Sequence, residues 1–247
     1  MNDDERVVSE ETPTRAEAGL PEAGFVFCCF NQSSKITPDV FDVWMRLLHR
    51  VEGSVLWLFL DNEAAAANLR REAEARGVAA SRLVFAGRMP VERHLARHRL
   101  ADLFIDTLPY NAHTTATDAL WVGLPVLTCR GEAFAARVAT SLLQAIGLPE
   151  LVTESLEDYE ALALKLATEP ALLEGIRAKL WRNRLTTPLF DTDRFRRSME
   201  AAYTEMWRTW QRGEAPRGFA VPAPTETAGG RPPSRRRVSL RVRTRTS

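Results

Sequence analysis

From Phe25 onward the chain alternates short apolar runs with amphipathic stretches about a dozen residues long. That alternation is the pattern of βαβ units, and it restricts the fold to a parallel sheet covered by helices. The run Phe25–Phe30 (FVFCCF) is apolar without interruption and suits a strand buried on both faces. Thr37-Pro38-Asp39 predicts a helix start, with proline at the first helical position and an acid in the first turn. Val40, Trp44, Leu47, Leu48 and Val51 then fall on one helical face. The cycle repeats, with strands expected at Ser54–Leu60, Arg82–Ala86, Asp102–Ile105 and Val126–Thr128. Helices are expected at 64–76, Pro90–Arg99, Thr114–Val122 and Phe134–Ile146, with Gly77 and Gly123 closing two of them. Residues 155–210 read as helical, broken near Pro170 and Thr187-Pro188, with Trp181, Phe190, Phe195, Tyr203, Met206 and Trp207 as packing anchors. The expected fold is α/β: a doubly wound, mostly parallel, Rossmann-like sheet with a helical C-terminal extension.

At 247 residues the chain is long enough to bury a substantial core. Its net charge of +1 hides an asymmetry: residues 1–24 carry seven acids and two arginines, while 229–247 carry seven arginines and no acid. Both ends read as disordered, giving an acidic N-terminus at 1–24, a folded domain at 25–213 and a Pro/Arg-rich tail at 214–247. Nucleic acid is not an expected partner, because the middle of the chain is nearly neutral; the tail alone could hold a polyanion weakly. No apolar run approaches the roughly 18 residues a membrane span needs, and the first 24 hold no hydrophobic segment, so a cytoplasmic protein without a signal peptide is expected. Cys28, Cys29 and Cys129 supply neither a disulfide framework nor a CxxC metal knuckle. No repeat of 20–50 residues is visible.

In open parallel sheets ligands bind beyond the carboxyl ends of the strands, which directs attention to three loops. Asn31-Gln32-Ser33-Ser34-Lys35 offers amides, hydroxyls and an ammonium to an anion, or is an ordinary solvated loop. Leu108 to Thr115 leads into a helix whose free N–H groups and dipole favour an anion. There His113, Thr114 and Thr115 add donors, although one threonine could simply cap the helix. Met89 to Arg97 is the third, with His94 and His98 one helical turn apart. That His pair has no glutamate in the HExxH sense and no third ligand in view, so no metal is expected there. Asp191-Thr192-Asp193 spells a DxD, but it opens a helix, where carboxylates serve as caps. Neither GxGxxG nor GxxxxGK[ST] occurs, which removes the ordinary dinucleotide and nucleoside-triphosphate readings.

With these loops in hand, the sequence resembles the C-terminal half of the catalytic region of O-GlcNAc transferases and SPINDLY-type protein O-glycosyltransferases, from about Phe25 to Gly213. The strings that carry the resemblance are FNQSSKITPDVFDVWMRLLHRV, SVLWLFL, HLARHRLADLFIDTLPYNAHTTATDALWVGLPVLT, GEAFAARVATSLL and TTPLF. The resemblance implies a role for each matching position. Gln32 and Lys35 would hold the donor's β-phosphate, Lys35 stabilising the leaving group's charge. His113, Thr114 and Thr115 would cradle the diphosphate, and Asp118 would accept hydrogen bonds from ribose hydroxyls. His94 would stack on uracil, Arg97 would neighbour the base, and backbone at Met89 would read the uracil edge. Val91 stands where animal members carry a lysine near the ribose.

The resemblance also implies a GT-B arrangement of two Rossmann-like halves preceded by tetratricopeptide repeats. This chain matches the second half; the general base and acceptor cleft of the family belong to the first. The expected function is therefore the donor-binding half of an inverting enzyme that transfers GlcNAc from UDP-GlcNAc to Ser/Thr of proteins. No cofactor or metal is expected, and the partners would be a UDP-sugar, protein acceptors and a separate catalytic half or repeat protein. Two alternatives stand beside it: a non-catalytic UDP-sugar-binding module, and a relative that uses GDP-fucose.

Overall fold

A computed structural model describes residues 4–222, and the chain divides into two compact units, Met1–Thr192 and Asp193–Ser247. The first unit contains a six-stranded sheet, all of whose pairings are parallel. Its strands are β1 (Val26–Cys29), β2 (Val55–Phe59), β3 (Leu83–Ala86), β4 (Leu103–Ile105), β5 (Val126–Cys129) and β6 (Val152–Thr153). The order β3-β2-β1-β4-β5-β6 reverses direction between β1 and β4, the switch point of a doubly wound sheet. There Phe27 pairs with Leu103 and Cys28 with Phe104. All four residues of β1 are buried, as a central parallel strand requires.

The connecting helices are α1 (Pro38–Arg50), α2 (Glu63–Ala75), α3 (Val91–Arg97), α4 (Thr114–Trp121), α5 (Val138–Ala145), α6 (Leu156–Thr168) and α7 (Pro170–Asn183). Proline opens α1 at its first position, and α1 buries Val40, Phe41, Val43, Trp44, Met45, Leu47 and Leu48. The expected helix at Phe134–Ile146 is shorter, because a 3-10 turn at Phe134–Ala136 precedes α5 and Arg137 between them leaves helical geometry (φ −123°, ψ −6°). The strand β6 was not anticipated; two residues carry no readable period. Helices α1 and α6 pack together through Trp44, whose indole donates to the Tyr159 hydroxyl (3.2 Å). The second unit holds α8 (Thr192–Gln211) beyond its first residue. Of the residues expected as packing anchors, Phe190 is buried, whereas Trp181, Phe195, Tyr203, Met206 and Trp207 are exposed.

The acidic segment 4–24 departs from the expectation of disorder. It lies along the first unit through polar contacts and three apolar residues, the buried Leu20 and the partly buried Val8 and Ala18, which pack against the core. The Arg15 guanidinium donates to the carbonyls of Pro21 (3.3 Å) and Gly24 (3.0 Å). Ser9 N–H donates to Glu92 O (3.1 Å), and Arg99 Nη1 donates to Ser9 O (2.9 Å) and Thr12 Oγ1 (3.0 Å). Gly24 (φ +105°) makes the entry into β1 possible, since a Cβ there would lie 2.2 Å from the Gly53 carbonyl oxygen. Most of the tail expected to be disordered, residues 223–247, lies outside the described residues.

Candidate functional site

The loops that follow β1 and β4 meet at the switch point, tied together by a carboxylate absent from the sequence expectation. Asp106, directly after β4, is buried. Its Oδ1 accepts from the N–H groups of Ala112 (2.6 Å) and Thr107 (2.7 Å) and from Asn31 Nδ2 (3.2 Å). Its Oδ2 accepts from Thr128 Oγ1 (2.7 Å). Burial pushes its carboxyl up to about 6 against the pull of these bonds. The position was marked only by an acid ending an apolar strand, a signal too common to single out. Asn31 extends the arrangement by donating to Thr107 Oγ1 (2.8 Å) and accepting from the Thr115 hydroxyl. Asn111 donates to Thr107 O (2.8 Å), and Thr37 Oγ1, at the position before α1, reaches across to Leu108 O (3.1 Å).

Lys35 ends the 3-10 turn Ser33–Lys35. Its Nζ donates to Asn111 O (3.0 Å) and lies 3.9 Å from the centre of the Tyr110 ring. No carboxylate forms an ion pair with it among the described residues. Burial lowers its pKa, and the charge of Asp106 opposes that shift. The Tyr110 ring stacks on His113 with centroids 5.2 Å apart, which places His113 beside the lysine's platform. No side chain caps α4, so the N–H groups of its first turn remain directed outward. Thr114 is exposed at that terminus, while the Thr115 hydroxyl is committed to Asn31. Gln32 is exposed on the loop after β1.

A second group lies one turn along α4. Asp118 is buried, with Oδ1 2.6 Å from Arg6 Nη1 and Oδ2 3.9 Å from His94 Nε2. Burial raises its carboxyl and Arg6 opposes that. His94, on α3, packs against Phe30 (centroids 5.5 Å) and His98 (4.7 Å). Burial, then the charges of Arg97 and Arg6, lower its pKa to about 4, so the ring is neutral at physiological pH. His98 is buried, and its Nδ1 is 2.8 Å from His94 O. Among the described residues no three His, Cys, Asp or Glu side chains come together as a metal site.

Arg97 is the last residue of α3. It is buried, donates from Nη1 to Gly87 O (2.7 Å), and covers the Phe30 ring at 4.6 Å. It therefore fixes the loop after β3, on which Met89 is exposed, from behind. Asp193 of the DxD pairs with Arg196 (2.8 Å) and with Arg197 on its own helix.

The sheet order and these two groups define a doubly wound α/β domain with an ammonium and an uncapped helix start at its switch point and a carboxylate one helical turn away. The family described as glycosyl transferase family 41 matches residues 3–199. The chain belongs to glycosyl transferase family 41. It is 40% identical over 210 residues to the probable UDP-N-acetylglucosamine–peptide N-acetylglucosaminyltransferase SEC of Arabidopsis thaliana, covering 85% of this chain and 22% of that one. It is 39% identical over 200 residues to the UDP-N-acetylglucosamine–peptide N-acetylglucosaminyltransferase of Caenorhabditis elegans, covering 81% and 17%. Among solved structures, an O-GlcNAc transferase mutant from Thermobaculum terrenum superposes with a TM-score of 0.72 at 35% identity, over 85% of this chain and 40% of that one. Sucrose-phosphate synthase of Thermosynechococcus elongatus, at 16% identity and a TM-score of 0.55, shares the fold. The chain thus spans about a fifth of the length of the two sequence relatives. The family match includes the arm from residue 3, in keeping with its contacts to α3 and α4. Among the described residues no helix is long and apolar enough to cross a membrane.

Proposed function

We propose that this chain is the nucleotide-sugar-binding half of an inverting protein O-glycosyltransferase that takes GlcNAc from UDP-GlcNAc in the cytoplasm. The observation that carries the reading is the half-buried Lys35 ammonium, free of any carboxylate ion pair among the described residues and set beside the open first turn of α4. A diphosphate is the ligand that such a pairing of ammonium and helix terminus suits. Asp118 then accepts from the ribose diol, and the neutral His94 ring presents an aromatic face for a pyrimidine without adding charge. Gln32, His113, Thr114 and the backbone N–H of Thr115 complete the phosphate side, while Met89 lies on the loop that lines the base and Arg97 holds that loop from behind.

In the transfer, the acceptor hydroxyl oxygen forms a bond to the anomeric carbon as the bond from that carbon to the β-phosphate oxygen breaks. The electron pair leaves on UDP, where Lys35 offsets the charge that develops. The acceptor's proton passes to a base outside this chain. Protein acceptors and a second catalytic half, or a tetratricopeptide-repeat protein, are the partners this scheme calls for.

Calorimetry with UDP, with and without EDTA, tests the reading. The expected result is micromolar to millimolar binding that EDTA leaves unchanged, because half of a cleft makes only part of the contacts. Strict metal dependence, or equal affinity for ATP, would remove the uridine-diphosphate assignment.

A further inference from the structure

We infer that Arg6, on the arm that precedes the sheet, is a positioning residue of the donor site: it orients the Asp118 carboxylate for a ribose diol. The inference rests on the nucleotide reading of Asp118 proposed above. Arg6 Nη1 meets Oδ1 of Asp118 at 2.6 Å and leaves Oδ2 on the side of His94, 3.9 Å away. His94 faces the carboxylate from α3 and is neutral, so among the described residues Arg6 supplies the full positive charge against it.

The arm is anchored on both elements that carry this half of the site. On α4, the Trp121 indole N–H donates to the Arg6 carbonyl (3.2 Å). Three residues later, Ser9 N–H donates to Glu92 O on α3 (3.1 Å), and Arg99 Nη1 holds Ser9 O (2.9 Å). Arg6 thus reaches Asp118 from a backbone fixed at two points, which locks a buried carboxylate in one rotamer. Without the guanidinium, burial favours the neutral acid, which accepts hydrogen bonds from two hydroxyls less well. The opposite role is also chemically distinct: an arm that competed with ribose for the same carboxylate would weaken nucleotide binding.

The full chain is titrated with UDP and with uridine. Arg6→Ala is expected to weaken both by the same factor, roughly tenfold, which corresponds to one charge-assisted contact. Arg6→Lys should restore most of the loss. In an Asp118→Asn background, Arg6→Ala should cost nothing further, because the two residues act as one unit. Wild-type affinity in Arg6→Ala overturns the inference, and tighter binding makes Arg6 a competitor instead. Additive losses in the double variant overturn it as well, since they assign Arg6 a general structural effect. A wild-type chain that binds neither UDP nor uridine fails before any variant is made; that result overturns the nucleotide reading, and the role of Arg6 with it.

Discussion

Lys35 and Asp106 sit at the same switch point and make opposite demands on it. Lys35 keeps an ammonium half-buried on a carbonyl and an aromatic ring, an arrangement that an anion completes. Lys35→Ala should therefore weaken UDP by roughly 1.5–3 kcal/mol, the value of a charge-assisted contact, and leave UMP almost unaffected, because UMP lacks the terminal phosphate. Equal losses for the two nucleotides in calorimetry would return Lys35 to the status of a loop lysine. Asp106 acts on the scaffold: four donors converge on its two oxygens. Asp106→Ala leaves those donors buried without an acceptor and should cost about 3–5 kcal/mol in urea denaturation. Asp106→Asn keeps one oxygen for the N–H groups of Thr107 and Ala112, and Thr128 can turn its hydroxyl to accept. Its cost should be less than half that of alanine. Similar costs for the two variants would show that the bonds to Oδ1 matter little.

At the scale of elements, the strands and helices that pack by periodicity were legible, since β1 to β5 and α1 to α7 all fall on the runs read from the sequence, with β5 and α2 each overrunning by one residue. So were the loops with anion-binding composition, because the carboxyl ends of parallel strands follow from strand order alone. Contacts between residues far apart in the chain were not legible. The arm has no apolar period, and its attachment is made by Arg6, Ser9 and Arg15 to groups up to 115 residues away, including the Trp121 indole. For the same reason Asp118 read as a ribose contact without its guanidinium partner, and Arg97 as a neighbour of the base without its bond to Gly87 O. Deleting residues 1–13 tests the arm as an element. It strips partners from Arg99, Trp121 and Asp118, and the expected loss is about 2 kcal/mol, or about 4–8 °C in Tm for a domain of this size. An unchanged melting temperature would mean that the arm rests on the domain without supporting it.

The stability of the whole molecule should fall on mild acidification, and the sign follows from three buried groups. His94 and His98 are held down to about 4 and about 3 by burial, against an ordinary value near 6.5. The folded state keeps both rings neutral while the unfolded chain binds their protons below about pH 6.5, so both contribute stability above that pH that is lost as it falls. Asp106 works in reverse: its folded value of about 6 lies above the ordinary 3.8, so the folded state takes up its proton first and gains stability as pH drops from 6 towards 4. Two histidines against Asp106 and the smaller upward shift of Asp118 leave a net uptake of under one proton on unfolding near pH 5, a slope of at most about 1.4 kcal/mol per pH unit. Solvent reaching the His94 ring, whose side chain is 18% accessible, trims its share, so the fully buried His98 carries the firmer part. Urea denaturation at pH 7.5, 6 and 5 should show the decline. His98→Asn, which removes one of the two ring protons, should flatten it by more than half even though the variant is less stable at pH 7.5, whereas an unaltered slope would place the acid sensitivity in the surface carboxylates.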